Sequence, residues 1–247
     1  NPPIENFSNK EYAAATQNWK IDQDERGMIY VANNSGLLEF DGFNWKLYPI
    51  GNGTIVRSVM VADNNRIFVG GQGDFGFFHP NKDGQLIYHT LTEKVSEKDR
   101  GFGDVWEIIE QPEGIFFRTD RHIFLYHNDQ ITSFSTAEKV LFMGVMNATV
   151  FYQTQNGQLQ FFKNNEFKTH PDIRKVDGII HSVLEFHPDT TLILTNESGI
   201  YALTKEGVNT WLTKDEKLLG NARFYCATLL SNGMLALGST NNGLYIL

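Results

Sequence analysis

The sequence predicts an all-β fold of repeated four-stranded antiparallel sheets, the architecture of a β-propeller. Three observations carry the prediction. A phrase of hydrophobic strand, tight polar turn and Gly followed by apolar or aromatic residues recurs about six times, at 29–40, 67–78, 115–126, 150–162, 192–203 and 235–247. The residues at its turn exits, Gly36, Gly76, His122, Gly157, Gly199 and Gly243, fall about 35 to 46 residues apart, the spacing of a propeller blade. No long segment carries a 3.6-residue apolar period.

Each repeat divides into four strands. In the first they are Trp19 to Gln23, Met28 to Ala32, Gly36 to Phe40 and Asn44 to Tyr48, separated by Asp24-Glu25-Arg26-Gly27, Asn33-Asn34-Ser35 and Asp41-Gly42. Such polar and Gly-containing turns between alternating apolar runs are hairpin signals. The second repeats the order with Val56 to Val61, Arg66 to Gly70, Phe75 to His79 and Gln85 to His89, and with turns at Asp63-Asn64-Asn65 and Asp83-Gly84. Later copies open at Val105-Trp106, Phe142-Met143, Ile180-His181 and Phe224-Tyr225, and have fourth strands at Gln130 to Phe134, Glu166 to Thr169 and Val208 to Leu212. Short helical turns fit Leu91 to Arg100 and Ala137 to Leu141. The expected domain is a single propeller, or part of one, over 1–247, with repeats at 16–50, 54–92, 103–136, 140–170, 178–213 and 222–247. The last copy lacks a fourth strand, and Ile4 to Phe7 could supply it and close the ring, since an open ring leaves a strand edge and an apolar face uncovered. A seven-bladed or larger array also accommodates the repeats.

Composition bounds the function. Aromatic residues make up 13% of the 247 residues, with 19 Phe, enough to fill a sizeable core. The formal charge is −8 and the basic residues are scattered, which argues against nucleic acid as a partner. No run approaches the ~18 apolar residues of a membrane span, so no direct membrane insertion is expected. The chain opens at Asn1 without a Met or an apolar leader, which reads as a processed product or an excised segment. The lone Cys226 lies in an apolar run and reads as a small core residue.

Several stretches together resemble the periplasmic sensor region of bacterial two-component regulators with propeller repeats. They are Asn6-Phe7-Ser8, Gln17-Asn18-Trp19, Gly36-Leu37-Leu38-Glu39-Phe40-Asp41-Gly42, Asn44-Trp45, Gly53-Thr54-Ile55-Val56-Arg57-Ser58 and Gly103-Asp104-Val105-Trp106. The resemblance is strong over 4–110 and is limited to the blade pattern beyond. It implies a non-catalytic, periplasmic, ligand-sensing propeller that works with downstream domains of the same receptor, a triple-tyrosine domain and a membrane-anchored signaller, and that could pair as a homodimer. The chain departs from the family in its repeat count of about six and in Tyr30, Phe68 and Phe116, which stand where the family motif is rich in Trp.

Propellers bind ligands where the first strands and their loops converge. The residues about ten positions before each second strand are Trp19, Arg57, Trp106, Phe142, His181 and Tyr225. Phe142 reads as core. The other five combine stacking area with a polar handle, and Asn18, Gln72, Asp104 and Arg223 lie beside them at strand ends. Such a set suits a small molecule or glycan. The competing reading is that the aromatics fill space between blades and that Arg57 and His181 make structural hydrogen bonds.

Gly71-Gln72-Gly73-Asp74-Phe75-Gly76 matches the G-x-G-x-x-G string, but Phe77-Phe78-His79-Pro80 continues as strand, so no helix opens onto a pyrophosphate. Asp22, Asp24 and Glu25 read as a solvated turn rather than an acid–base pair. No nucleophile elbow, zinc helix or Cys pair is present, and the seven His are dispersed, at 79, 89, 122, 127, 170, 181 and 187. No catalytic residue, metal or cofactor is therefore expected. A glycan lyase or hydrolase, or a protein scaffold, remains the alternative to a sensor.

Overall fold

The structure is a computed structural model that describes residues 4–62, 65–169, 176–196, 199–211 and 222–247. Expectations that fall on Asp63, Asn64, His170 and Leu212, and the edges of two repeats at 170 and 213, lie outside the described residues. The chain separates into two compact units, Asn1–Ala137 and Glu138–Leu247.

The first unit holds three sheets. They are β1 (Asn18–Gln23), β2 (Ile29–Asn33), β3 (Gly36–Phe40) and β4 (Trp45–Tyr48); then β5 (Val56–Val61), β6 (Ile67–Gly71), β7 (Phe75–Pro80) and β8 (Leu86–Thr90); then β9 (Glu107–Gln111), β10 (Gly114–Arg118), β11 (His122–His127) and β12 (Gln130–Ser135). The second unit holds β13 (Val140–Met146), β14 (Thr149–Thr154), β15 (Leu159–Lys163) and β16 (Glu166–Thr169); β17 (Ile180–His187), β18 (Thr190–Thr195), β19 (Ile200–Thr204) and β20 (Gly207–Thr210); and β21 (Phe224–Leu229), β22 (Leu235–Ser239) and β23 (Leu244–Ile246). Every sheet is an antiparallel meander in chain order.

The turns follow from their residues. Asn128-Asp129, Asn147-Ala148 and Asn164-Asn165 all adopt positive φ, the conformation of a two-residue turn whose twist matches its strands. The G-x-G-x-x-G segment is the β6–β7 connection, closed by Gly71 N–H donating to the Asp74 carbonyl at 2.8 Å, and a strand follows it. The acidic group near β1 is structural. Asp24 Oδ1 accepts from the N–H groups of Arg26 and Met28, and Asp22 Oδ2 accepts from Val61 N–H at 2.8 Å, bracing the first sheet against the second.

Facing sheets bury apolar rows between them. Tyr30, Ala32 and Leu37 pack with Val59, Ile67, Val69 and Phe78 between the first two sheets. Phe68, Phe75, Phe117 and Phe124 fill the space between the second and third. In the second unit Phe151, Leu159, Ile193 and Leu203 form one such layer, and Leu192, Leu194, Phe224 and Leu237 form the next. Buried polar groups are paired where they interrupt these layers: Gln153, with no exposed surface, donates to the carbonyls of Val176 and Gly178 and accepts from Ile180 N–H.

Three expectations need correction. Ile4 to Phe7 belong to no strand, and the last sheet has three strands among the described residues. The Phe7 ring packs instead on Phe40 and Trp45, at 5.0 and 5.5 Å between centroids, and joins Tyr12 in covering Val31 and Leu38. That apolar face of the first sheet is thus covered by aromatic rings, and the segment that carries Phe7 is used for packing rather than for strand pairing. Residues 137–141 are bends that run into β13, whereas 91–100 does hold two 3-10 turns, Thr92–Lys94 and Glu97–Asp99. Cys226 is exposed. Its partners across the sheet are Gly238 and then Leu244, which is 70% exposed, so its side chain lies on the uncovered face.

Candidate functional site

One irregularity recurs at the start of the first strands. The pairing register shifts between Asn18 and Lys20, Val56 and Ser58, Val140 and Phe142, Ile180 and Ser182, and Phe224 and Cys226. Each is a β-bulge, and the extra residues are Trp19, Arg57, Leu141, His181 and Tyr225. A bulged residue drops out of the ladder and its side chain is re-aimed. In the third sheet Trp106 takes the same place, immediately before β9, with its N–H donating to the Arg118 carbonyl at 2.8 Å. Spacing alone selects four of the five bulged residues. It picks Phe142 in place of Leu141, and Phe142 packs in the core as expected.

In the first unit three re-aimed side chains meet. The Arg57 guanidinium carbon lies 4.1 Å from the centroid of the Trp19 ring and 5.2 Å from that of Trp106, and the two indoles stand edge-to-face at 6.1 Å. Contacts of a cation with two indole faces are worth roughly 0.5–2 kcal/mol each, more as water is excluded. Each indole is oriented by its own N–H: Trp19 Nε1 donates to Asn34 Oδ1 at 2.7 Å, and Trp106 Nε1 to Asp120 Oδ1 at 3.2 Å. Trp19 remains 37% exposed, so the stack opens to solvent.

Supporting contacts sit beneath it. Ser58 Oγ, fully buried, donates to the Val105 carbonyl at 2.8 Å and fixes the segment leading to Trp106. Gly70 is required there, because a Cβ would stand 2.5 Å from both Ser58 Oγ and a Val105 methyl. Asn33 donates to the Ala15 carbonyl and to Asn18 Oδ1, each at 2.7 Å.

The Arg57–Asp104 pair is the chemically unusual element. Arg57 Nε and Asp104 Oδ1 lie 3.3 Å apart, with the two side chains 13% and 16% exposed. Although this is an ion-pair distance, both atoms are buried and neither makes a hydrogen bond, because the N–H does not point along the line to the carboxylate oxygen. Nearby, Arg118 shows a pair that is fully made: its Nε reaches Glu107 Oε2 at 2.6 Å and its terminal nitrogen reaches Oε1 at 3.3 Å. Buried donors and acceptors without partners are rare and costly. One cation beside Asp104 and Asp120 leaves the stack without excess positive charge, so it can supply a donor and an acceptor to a neutral, hydroxyl-bearing molecule but is poorly suited to an anion.

The remaining expected site residues divide. Asn18 serves Asn33, as above. Gln72 forms an isolated bridge with Asp104 and its carbonyl accepts from Asn52 Nδ2 and Thr54 Oγ1, while its exposed side chain makes no described contact. In the second unit His181 and Tyr225 come together, with ring centroids 5.2 Å apart. Arg223 is engaged there through its backbone, which donates to Asn241 Oδ1 and accepts from Thr240.

Burial holds the His181 imidazole below its ordinary pKa of 6.5. Because the folded pKa lies below the unfolded one, the stability tied to neutral His181 is complete above about pH 6.5 and is lost as pH falls through the folded value. A melting temperature that falls between pH 8 and pH 5, and falls less in His181→Phe, is the expected result; equal slopes in thermal melts would count against it.

Asp74 is a buried acid that no local sequence signal marks. Asp74, 6% exposed, accepts from the hydroxyls of Thr90 and Thr92 at 2.7 Å each and ties the β6–β7 turn to the end of β8. Burial, with the Asp74 charge beside it, pushes the Tyr88 phenol far above its ordinary range. Among the described residues no group of three or more His, Cys, Asp or Glu could hold a metal ion, and no helix is long and apolar enough to cross a membrane.

No family model matches the chain, and no curated protein matches it in sequence. Similar solved structures do exist. The extracellular domain assigned to a hybrid two component system, BT4673 of B. thetaiotaomicron, superposes with a TM-score of 0.67 at 19% identity over 93% of this chain. The chain spans 31% of that structure's length. Virginiamycin B lyase from Staphylococcus aureus aligns with a TM-score of 0.64 at 13% identity, covering 93% of this chain and 83% of the lyase. The WD40 β-propeller domain of Doa1 aligns at 0.60 and 14%, covering 94% and 84%. These likenesses establish the β-propeller fold. They include the extracellular domain of a two component system and also an enzyme, so fold alone does not choose between them.

Proposed function

We propose that this chain is the non-catalytic, extracytoplasmic sensing propeller of a two-component receptor, in the periplasm. It binds a small, neutral, partly flat molecule such as a glycan fragment at the Trp19–Arg57–Trp106 stack and passes the bound state to downstream domains of the same receptor. The observation that supports this most is the Arg57 guanidinium held against two indoles, with its Nε and the neighbouring Asp104 Oδ1 buried and without hydrogen bonds. The apolar face of a sugar ring can stack on the exposed part of Trp19, and a shift of the Arg57 side chain on binding would let a hydroxyl accept from its Nε and donate to Asp104. For such binding to signal, the ligand must favour one arrangement of the receptor over another by differential affinity. The first experiment is a thermal-shift screen of the purified chain against neutral and acidic oligosaccharides. Stabilisation by a neutral member, absent in Trp19→Ala, is the expected outcome; no shift with any member would remove the small-ligand reading.

A lyase is the second reading. What favours it is the His181–Tyr225 contact, which puts an imidazole kept neutral by burial beside an exposed phenol, a base and an acid in reach of one substrate. Turnover of a glycan by the intact chain, lost in His181→Ala and Tyr225→Phe, would displace the sensor reading.

A further inference from the structure

The segment before β1 forms a small unit of its own. Ser8 N–H and Oγ donate to Glu11 Oε2 at 2.6 and 2.8 Å, the N–H groups of Glu11 and Tyr12 donate to the Ser8 carbonyl, and Ala14 N–H donates to the Asn9 carbonyl. The hydrogen bonds described for residues 8–14 thus stay within that stretch, and its hold on the first sheet is apolar, through Phe7, Tyr12 and Ala14 against Val31, Leu38 and Trp45. Ala13 takes a φ of +50°, a conformation that a non-glycine residue keeps only where its surroundings impose it. Self-contained hydrogen bonds, few anchoring contacts and local strain mark a stretch that opens as a unit.

Hydrogen bonds to the sheet begin at Ala15 and run to one turn, Asn33-Asn34-Ser35 between β2 and β3. Ala15 N–H donates to Ser35 Oγ at 3.0 Å, and the Ala15 carbonyl accepts from Asn33 Nδ2 at 2.7 Å. The Gln17 carbonyl and Oε1 accept from the N–H and Nδ2 of Asn34 at 3.2 and 3.4 Å. The same Asn34 receives the Trp19 indole N–H on its Oδ1, so one turn grips both the end of the segment and a ring of the stack. Asn33 makes the grip cooperative. It has no exposed surface, its Oδ1 accepts from Ser35 N–H at 2.8 Å, and its Nδ2 serves both Ala15 and Asn18. Release of Ala15 strands a donor of this buried amide unless the turn opens with it.

We propose that residues 7–17 are a strap whose docking on the first sheet and the ordering of the Trp19–Arg57–Trp106 stack are a single equilibrium. A molecule held at the stack then tightens the strap, and by reciprocity a docked strap raises the affinity of the stack; this consequence alone rests on the stack as a binding site. Hydrogen exchange of the purified whole chain, without ligand, tests the coupling in both directions. In one, Trp19→Phe keeps an aromatic ring and removes the N–H given to Asn34. The amides of 8–17 are expected to exchange about tenfold faster, the equivalent of one hydrogen bond, with those of β10 and β11 unchanged. In the other, Ser35→Ala removes the acceptor of Ala15 N–H, and the Trp19 indole N–H, followed by NMR, is expected to exchange about tenfold faster. Phe7→Ala loosens the strap without touching the turn and gives the same reading if Ser35→Ala does not fold. Unchanged exchange of 8–17 in Trp19→Phe, an unchanged Trp19 indole N–H when the strap is loosened, or equal acceleration in β10 and β11 would each overturn the proposal. No ligand enters the measurement, so its failure is separate from that of the oligosaccharide screen.

Discussion

Phe75→Ala is expected to destabilise the first unit by about 3–5 kcal/mol, the range for truncating a fully buried aromatic ring. Phe75 has no exposed surface, and its ring meets those of Phe117, Phe124 and Phe102 at 4.6, 5.1 and 5.5 Å. These rings come from two sheets and the segment before β9, so the space left by the phenyl group cannot close by moving one side chain. The loss includes the transfer energy and the contacts around the cavity. Urea unfolding followed by tryptophan emission checks this. A change below about 1 kcal/mol would mean that the layer between the second and third sheets repacks freely.

The second large effect is expected at Gly36. This residue opens β3 with φ of +139°, and a Cβ there would collide with the Tyr48 carbonyl oxygen while approaching the Pro49 Cα to 3.2 Å. Both neighbours are backbone at the end of β4, so no rotamer change relieves the clash. Gly36→Ala therefore forces the β3–β4 pair apart or strains the turn, and a loss of about 2–4 kcal/mol follows from backbone strain combined with overpacking. As a control, Gly42→Ala has a positive φ of +94° with nothing within 4 Å of the new Cβ, and is expected to cost about 1 kcal/mol from the backbone conformation alone. Comparable losses at the two sites would contradict the close-approach argument.

Strands and turns were legible because their signals are local. Apolar alternation and Asn-, Asp- and Gly-bearing turns placed the first sheet's strands within a residue of β1 to β4. What stayed hidden were shifts of a single residue. A bulge leaves no compositional mark, so spacing points to Phe142 where the bulged residue is Leu141, and to a core position for Cys226, which follows the bulged Tyr225 and is exposed. Pairing across loops was equally silent. Nothing near Asp74 in the sequence announces Thr90 and Thr92, and the aromatic spacing of Phe7 and Tyr12 does not say that they cover the first sheet.

The candidate site was partly visible for the same reason. Counting back from each second strand found Trp19, Arg57 and Trp106, because the repeat fixes where first strands begin. Their convergence depends on the bulges at Trp19 and Arg57, and the open Arg57–Asp104 pair depends on side-chain geometry that spacing does not carry. His181 and Tyr225 were selected by the same count and do touch, whereas the side chains of Gln72 and Arg223 gain no described contact from lying beside the chosen positions.

Indole emission during titration with a stabilising neutral oligosaccharide tests the central claim most directly, with the parent chain compared against Arg57→Met and Asp104→Asn. Met retains much of the stacking volume between Trp19 and Trp106 but removes the donors, and Asn keeps the shape of the acceptor but removes its charge. Saturable change in the parent chain, with affinity at least about tenfold weaker in each variant, is the predicted result. Equal affinity in all three proteins would show that the ligand sits elsewhere and that the stack is packing.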